Sequence, residues 1–269
     1  MENKKIYLDQ NVLSEYLAGK SSDLVNAILE LKKKNSFLYS PAHMEELAVP
    51  FMAASNREVK QRVLEEIDSI SELTGNREVF PGSDRPMHIT IEHPSLCFKR
   101  VIDFYHLNSH LEQQESEQLE WYKSADPTGK TAQKMSNESS SILLQEEHSL
   151  ALNGRFHLDF LAAMSARRVG LRDFNYPEIL KSHTAFERCI EITFCYLESI
   201  RYRPEAVKKS RSRMHDVSHA IYGSIADILV TDDDRFSKKV QAVYEYWGIQ
   251  TEILSTDGFV SKVVLGETA

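Results

Sequence analysis

The stretch MHDVSHAIYGSIADILVTDDDRF, residues 214–236, decides the fold of this chain. Its first half predicts a helix, because Val217, Ile221 and Ile225 recur at four-residue steps and form an apolar stripe. Its second half, residues 228–231, is a short apolar run rich in β-branched side chains and bounded by acids, which is typical of a buried strand. The stretch therefore predicts a helix that is followed closely by a buried strand.

Three carboxylates, Asp232, Asp233 and Asp234, follow this strand directly. Neighbouring negative charges repel one another and resist burial. A metal cation would relieve that repulsion, and open α/β sheets bind ligands outside the carboxyl ends of their strands. Asp216 lies on the preceding helix, beside the apolar stripe. The stretch therefore indicates a cation site, if the rest of the chain brings more acids to the same edge.

The amino-terminal part of the chain supplies further acids. Residues 5–8 form a short apolar strand that is followed at once by Asp9. A second strand, residues 37–40, leads into a proline, which suits the first turn of a helix. That helix carries Glu45 and Glu46 in its second turn, and the phase of the helix decides which of the two faces the site.

The order of the predicted elements defines the fold class. The chain reads strand, helix, strand, helices, a long insertion, helix, strand, helix, strand. Parallel strands need crossover connections, so this order predicts an α/β fold with a parallel sheet of about four to five strands flanked by helices. Pro, Gly, Ser and Asp mark residues 79–90 as a connection. We expect one domain formed by residues 1–78 and 204–269, and an all-helical insertion at residues 79–203.

Four local patterns, taken together and in this order, resemble the PIN-domain nucleases. They are a strand followed by Asp9, a strand ending in Ser40 with Glu46 on the next helix, Asp216 with Ala220 four residues later, and Thr231-x-Asp233-x-x-Phe236 after a strand. The patterns cover about half of the chain, roughly residues 1–75 and 205–269. The resemblance implies a PIN-like sheet and a metal-dependent nuclease activity.

The acids in these patterns suit the hydrolysis of a phosphodiester by water. This reaction needs a deprotonated nucleophile and a stabilised leaving oxygen, and Mg²⁺ or Mn²⁺ held by carboxylates provides both. The expected catalytic residues are Asp9, Glu46, Asp216 and Asp233. The expected metal ligands are Asp9, Asp216, Asp233 and Asp232. The resemblance implies the same catalytic four.

A run of cations precedes Asp216, although the net charge of the chain is −8. The run indicates either a rim that grips phosphate or an ordinary solvated helix start. His215 and His219 flank Asp216 and belong either to the rim of the site or to an ordinary helix face. The expected substrate-binding residues are Asn11, Lys208, Lys209, Arg211, Arg213 and Thr231. The acidic balance excludes a uniformly basic nucleic-acid coat.

These features predict an endoribonuclease that hydrolyses RNA in a toxin, defence or stress system. RNA is preferred to DNA because the PIN resemblance points that way. The expected partners are single-stranded or structured RNA, a regulatory or inhibitory protein, and a second copy of the chain in a homodimer. Two alternatives stay open. One is a catalytically silent RNA-binding or scaffold module, and the other is an HD-type phosphohydrolase that uses His215 and Asp216 with His183 and Asp227.

The cysteines indicate a reducing compartment. Cys97, Cys189 and Cys195 are odd in number and lack metal-type spacing, which argues against a disulfide framework and for the cytoplasm. No apolar run approaches the roughly 18 residues that span a membrane, and the first residues lack the apolar region of a signal peptide. We therefore expect no membrane partner. A hydrophobic content of 42% is enough for a core.

Overall fold

A parallel sheet of four strands lies at the centre of the molecule. The computed structural model describes residues 3–167 and 181–264. The described strands are β1 (Lys5–Leu8), β2 (Ser36–Leu38), β3 (Arg77–Phe80), β4 (His88–Ile91), β5 (Ile228–Val230) and β6 (Glu252–Leu254). The central sheet has the order β2-β1-β5-β6, and each neighbouring pair is parallel. The predicted α/β class, with a parallel sheet of four strands, is confirmed.

Helices cover both sides of this sheet. Those described are α1 (Gln10–Leu17), α2 (Ser22–Leu31), α3 (Pro41–Ala53), α4 (Arg57–Thr74), α5 (Pro94–Phe104), α6 (Asn108–Ser124), α7 (Lys130–Met135), α8 (Glu146–Arg167), α9 (His183–Ser199), α10 (Ser210–Gly223), α11 (Asp234–Trp247) and α12 (Thr256–Val264). The helix and strand expected in residues 214–236 are α10 and β5. Among the described residues, none of the helices combines the length and apolar character that crossing a membrane requires.

Alternating side chains of the central strands form two cores. Tyr7 and Leu229 point to one face of the sheet, while Ile6, Leu8 and Ile228 point to the other. This alternation follows from the two-residue period of a strand. Because both faces are buried, the strands read as continuous apolar runs rather than as alternating ones.

The predicted insertion, residues 79–203, shares the first of these cores. Ile142, Leu152 and Ile190 pack in the same buried cluster as Tyr7 of β1. Residues 168–180 of the insertion lie outside the described part of the chain, as do the ends of the predicted domain, residues 1–2 and 265–269. The described part of the insertion therefore covers one side of the sheet through these residues, and Cys97 and Phe98 of α5 also pack in the second core.

The all-helical character predicted for the insertion is wrong at its start. β3 and β4 form an antiparallel hairpin in which Arg77 pairs with Ile91 and Phe80 pairs with His88. The composition rich in Pro, Gly and Ser marks only the turn of this hairpin and not the whole connection. At Gly82 the backbone passes so close to itself that a Cβ atom would lie 2.3 Å from the carbonyl oxygen of Arg85.

Buried charges join the insertion to the helices around the sheet. Lys239 of α11 is 2% exposed, and its ammonium group donates to Glu198 of α9 and to Glu205 at 3.2 Å. Arg213 of α10 forms ion pairs with Glu115 of α6 and, at 3.8 Å, with Glu198. Burying a charge is costly unless it is paired, so these contacts fix how the four helices pack.

Lys239→Met should lower the free energy of unfolding by about 3–5 kcal/mol, because it leaves the buried Glu198 without its closest cation. Lys262→Met is the matched control, since Lys262 pairs with Glu252 near the surface and its loss should cost about 1 kcal/mol or less. Chemical denaturation of both variants measures the difference. Equal losses would show that the buried network does not hold the helices together.

Candidate metal centre

The carboxyl ends of β1 and β5 lie side by side at the point where the strand order of the sheet reverses. From β1 the chain crosses to β2 on one side, and it later returns to β5 on the other side of β1. Ligands of open α/β sheets bind in the crevice outside such a switch point. Asp9 directly follows β1 and Thr231 directly follows β5, so both lie at this crevice.

Asp9 is a buried carboxylate that two groups hold in place. It is 4% exposed, and its Oδ2 accepts a hydrogen bond of 2.6 Å from the hydroxyl of Thr231. Its Oδ1 accepts a hydrogen bond of 3.2 Å from the backbone N–H of Asn11, which caps the start of α1. Burial raises the pKa of Asp9, and the charge of His219 and the bond from Thr231 oppose this rise.

Glu46 and His219 complete a group of three donors with Asp9. Helix α3 packs against α10, and His219 Nε2 lies 2.9 Å from Glu46 Oε1. One ligand atom from each of Asp9, Glu46 and His219 lies within 4.8 Å of the other two. Two carboxylates and an imidazole are donors that suit a divalent cation. The residues at the switch point therefore fit a metal ion.

The contact between Glu46 and His219 has the character of an ion pair. Burial raises the pKa of Glu46, but the hydrogen bond and charge of His219 outweigh it and leave the pKa below its ordinary value. Burial lowers the pKa of His219, but the hydrogen bond and charge of Glu46, together with the charge of Asp9, raise it overall. Each partner therefore favours the charged form of the other.

A chain of buried polar groups lies behind His219. The hydroxyl of Tyr7 lies 2.8 Å from His219 Nδ1 and 2.6 Å from Ser40 Oγ. His43 Nε2 lies 2.8 Å from the carbonyl oxygen of Leu8, and His43 Nδ1 accepts from the backbone N–H of Ser40 at 3.1 Å. Burial and the charge of His219 lower the pKa of His43 to about 3, so His43 is neutral at physiological pH.

Asp216 is not part of the group of Asp9, Glu46 and His219, whose ligand atoms lie within 4.8 Å of one another. Burial raises the pKa of Asp216 well above its ordinary value. The charge of Lys239 opposes this rise, whereas the charges of Glu205, Asp9 and Asp233 add to it. The participation of Asp216 in metal binding stays a prediction, and its electrostatic interaction with Asp9 places it at the same crevice.

Asp232 and Asp233 are engaged elsewhere at this edge of the sheet. Asp233 caps α11, and its Oδ1 accepts from the backbone N–H groups of Arg235 and Phe236. Both oxygens of Asp232 bond to Thr256 at the start of α12. The two aspartates therefore anchor helices, and neither belongs to the group of three donors among the described residues. Their role as metal ligands stays a prediction.

Two of the cations predicted to bind substrate form ion pairs with the insertion. Arg213 is 3% exposed and is paired with Glu115 and Glu198, so the prediction that it contacts substrate is wrong. Arg211 is partly exposed and pairs with Glu112 of α6. The charge run does not reveal this outcome, because Glu112 and Glu115, which pair with the two arginines, lie about 100 residues earlier in the sequence.

The other predicted substrate-binding residues fall into two groups. Lys208 and Lys209 are exposed, so they remain available to a polyanion. Thr231 is 2% exposed and holds Asp9, which makes it a positioning residue rather than a substrate contact. The side chain of Asn11 is exposed, and its backbone N–H also holds Asp9.

The geometry distinguishes Glu46 from Glu45. Glu46 bonds to His219, whereas Glu45 Oε2 lies 3.8 Å from Nδ1 of His215. Sequence reasoning missed His219 as a member of the central group. A usable signal exists, since Asp216 and His219 are three residues apart on one helix and therefore share a face.

The four residues of the HD-type alternative do not come together at one site in this structure. Asp227 Oδ2 accepts from the backbone N–H of Lys5, at the amino ends of β1 and β5 and therefore at the opposite edge from Asp9. The ring of His183 stacks on Tyr222. The parallel sheet also differs from the all-helical fold that this alternative requires.

Comparisons of the chain with protein-family models, with curated proteins and with solved structures found no match. The resemblance to PIN-domain nucleases therefore stays a prediction.

Glu46→Gln should change how stability depends on pH when a chelator removes metal. The pKa of His219 is raised above its ordinary value of 6.5 by Glu46, so the stabilisation is complete below that pH and is lost as pH rises through the raised pKa. The stability advantage of the wild type over Glu46→Gln should therefore shrink as pH rises from about 6.5 into the alkaline range.

Denaturant titrations across this range provide the measurement, and Glu45→Gln is the matched control because Glu45 does not contact His219. An advantage over Glu46→Gln that stays constant with pH would contradict the ion pair.

Proposed function

We propose that this protein is a PIN-like, metal-dependent endoribonuclease that hydrolyses RNA phosphodiester bonds. The observation that carries the proposal is the convergence of Asp9, Glu46 and His219 outside the carboxyl ends of β1 and β5. These residues come from distant parts of the chain, and two of them are buried. Asp9 and Glu46 are neighbouring carboxylates that repel one another when both are ionised, and a divalent ion beside the imidazole would offset that repulsion, which supports a metal-binding role.

In this proposal the chain's own residues hold and orient the ion. Asp9, Glu46 and His219 would bind Mg²⁺ or Mn²⁺, with Asp216 and Asp233 as further acids near it. Such an ion, when bound, lowers the pKa of a water nucleophile and stabilises the leaving oxygen. Thr231 and the backbone N–H of Asn11 keep the carboxylate of Asp9 in one orientation. A fixed orientation is what metal-assisted hydrolysis requires of its ligands.

An exposed cationic turn precedes the helix that carries His219. Lys208 and Lys209 form an exposed turn immediately before α10, the helix that carries His219. Exposed cations on the element that leads into a metal-binding helix would attract the phosphate backbone to this side of the protein. RNA as the substrate, a regulatory or inhibitory protein partner, a homodimer, a cytoplasmic location and a toxin or defence role all belong to this proposal.

Asp9→Asn should reduce metal-dependent cleavage of single-stranded RNA by at least about 100-fold, because losing a group that merely supports a ligand already costs 10- to 100-fold. EDTA should abolish the activity of the wild type, and added Mg²⁺ or Mn²⁺ should restore it. Asp227→Asn is the matched control, since Asp227 also bonds to the backbone but lies at the opposite edge of the sheet.

A gel assay with labelled RNA measures these rates, and gel-shift titrations measure binding alongside. Cleavage that survives chelation would end the proposal. RNA binding without any cleavage would favour the catalytically silent module instead.

A substrate with a 2′-deoxy nucleotide at the cleavage site should still be cut. In the proposed reaction water is the nucleophile, so no 2′-hydroxyl has to attack the phosphate. Mass spectrometry of the products should find a terminal phosphate without a cyclic form. A cyclic phosphate, or resistance of the deoxy substrate, would point to a mechanism that uses the 2′-hydroxyl of the RNA.

A further inference from the structure

The imidazole of His219 and the carboxylate of Glu46 are spaced like neighbouring ligands of one ion. His219 Nε2 and Glu46 Oε1 lie 2.9 Å apart. Two adjacent ligands of an octahedral ion with bonds of about 2.1 Å are about 3 Å apart. A ligand atom of Asp9 lies within 4.8 Å of both. His219 and Glu46 therefore stand at a separation that one cation can bridge, and Asp9 lies beside them as the third ligand group.

The series of buried hydrogen bonds behind His219 begins at the carbonyl oxygen of Leu8, which can only accept a hydrogen bond. The carbonyl oxygen of Leu8 has no proton, so His43 Nε2, at 2.8 Å, must carry the proton between them. His43 Nδ1 then offers a lone pair, and it accepts from the backbone N–H of Ser40. The tautomer of His43 is thus fixed by the backbone.

This fixed tautomer is compatible with one direction of the remaining bonds that leaves His219 protonated on Nδ1. Ser40 Oγ lies 3.3 Å from His43 Nδ1, so in this arrangement the hydroxyl of Ser40 donates to the nitrogen that the backbone N–H of Ser40 also contacts. Ser40 then accepts from Tyr7, and the hydroxyl of Tyr7 accepts from Nδ1–H of His219. His219 therefore keeps a proton on Nδ1, and Nε2 is the nitrogen that faces Glu46 and Asp9.

We propose that His219 Nε2 binds the ion directly beside Asp9 and Glu46, and that this nitrogen makes the site select a divalent first-row transition ion over Mg²⁺. Imidazole suits transition ions, whereas Mg²⁺ prefers oxygen ligands and keeps much of its water. When the ion enters, the proton between Nε2 and Glu46 leaves to solvent. The inference deepens the metal centre of the proposed nuclease and rests on that proposal.

Tyr7 is the positioning residue in this arrangement. A ligating histidine is oriented by the group that its second nitrogen contacts, and loss of such a group costs about 10- to 100-fold in metal affinity. Tyr7→Phe should therefore weaken Mn²⁺ binding by about that factor. Tyr244→Phe is the matched control, because the buried hydroxyl of Tyr244 donates to the carbonyl of Ala220 on the same helix without touching His219.

The experiment uses the full chain with Mn²⁺ alone and no nucleic acid. Pulsed electron paramagnetic resonance should show nitrogen hyperfine coupling to Mn²⁺ in the wild type and not in His219→Gln. Competition should require at least about 10-fold more Mg²⁺ than Mn²⁺ to occupy half of the sites. Bound Mn²⁺ without nitrogen coupling in the wild type, a measurement that depends on no variant, would overturn the inference. Equal competition by Mg²⁺ would do the same.

Parallel RNA cleavage assays separate this inference from the proposed function. Metal-dependent cleavage together with Mn²⁺ that shows no nitrogen coupling would overturn the inference and leave the nuclease standing. Nitrogen coupling without cleavage would support His219 as a ligand and overturn the nuclease. A chain that binds no Mn²⁺ would overturn both.

Discussion

The burial of the Asp9 carboxylate is the constraint on which the rest of the site depends. A buried carboxylate is stable only when other groups replace the water it has lost. Here the hydroxyl of Thr231, the backbone N–H of Asn11 and the charge of His219 do so. Because β1 pairs with β5, Thr231 reaches Asp9 across neighbouring strand ends. The pairing of β1 with β5 is therefore what brings together the residues that stabilise the buried carboxylate of Asp9.

The insertion has a structural role in the site that its position in the sequence conceals. Acids on α6 and α9 pair with Arg213 and Lys239, which lie on α10 and α11. Those two helices also carry His219 and the cap residue Asp233. Any displacement of the insertion would leave buried charges unpaired, at a cost of several kcal/mol. The insertion therefore fixes the helices from which the site is built.

Local pattern predicted the elements of the sheet and two members of the central group, Asp9 and Glu46. Strand ends, apolar periodicity and the acids that follow strands are local signals, and they placed β1, β5 and α10 correctly. The burial of Arg213 escaped prediction because its partners come from a distant helix. The hairpin of β3 and β4 escaped because its turn dominates the composition of that stretch. Whether a charged residue is paired or exposed is decided by tertiary contacts, which no local pattern contains.

His219 gives the central group a property that a set of carboxylates alone would lack. Asp9 and Glu46 repel one another in their ionised forms, and a protonated His219 beside them offsets that repulsion when no ion is bound. If a divalent ion then replaces the proton on Nε2, the positive charge in the group rises by one and balances both carboxylates. The site can therefore fold without the ion, because the proton on His219 already neutralises part of the negative charge of Asp9 and Glu46. The same imidazole would then serve as counter-charge in one state and as ligand in the other.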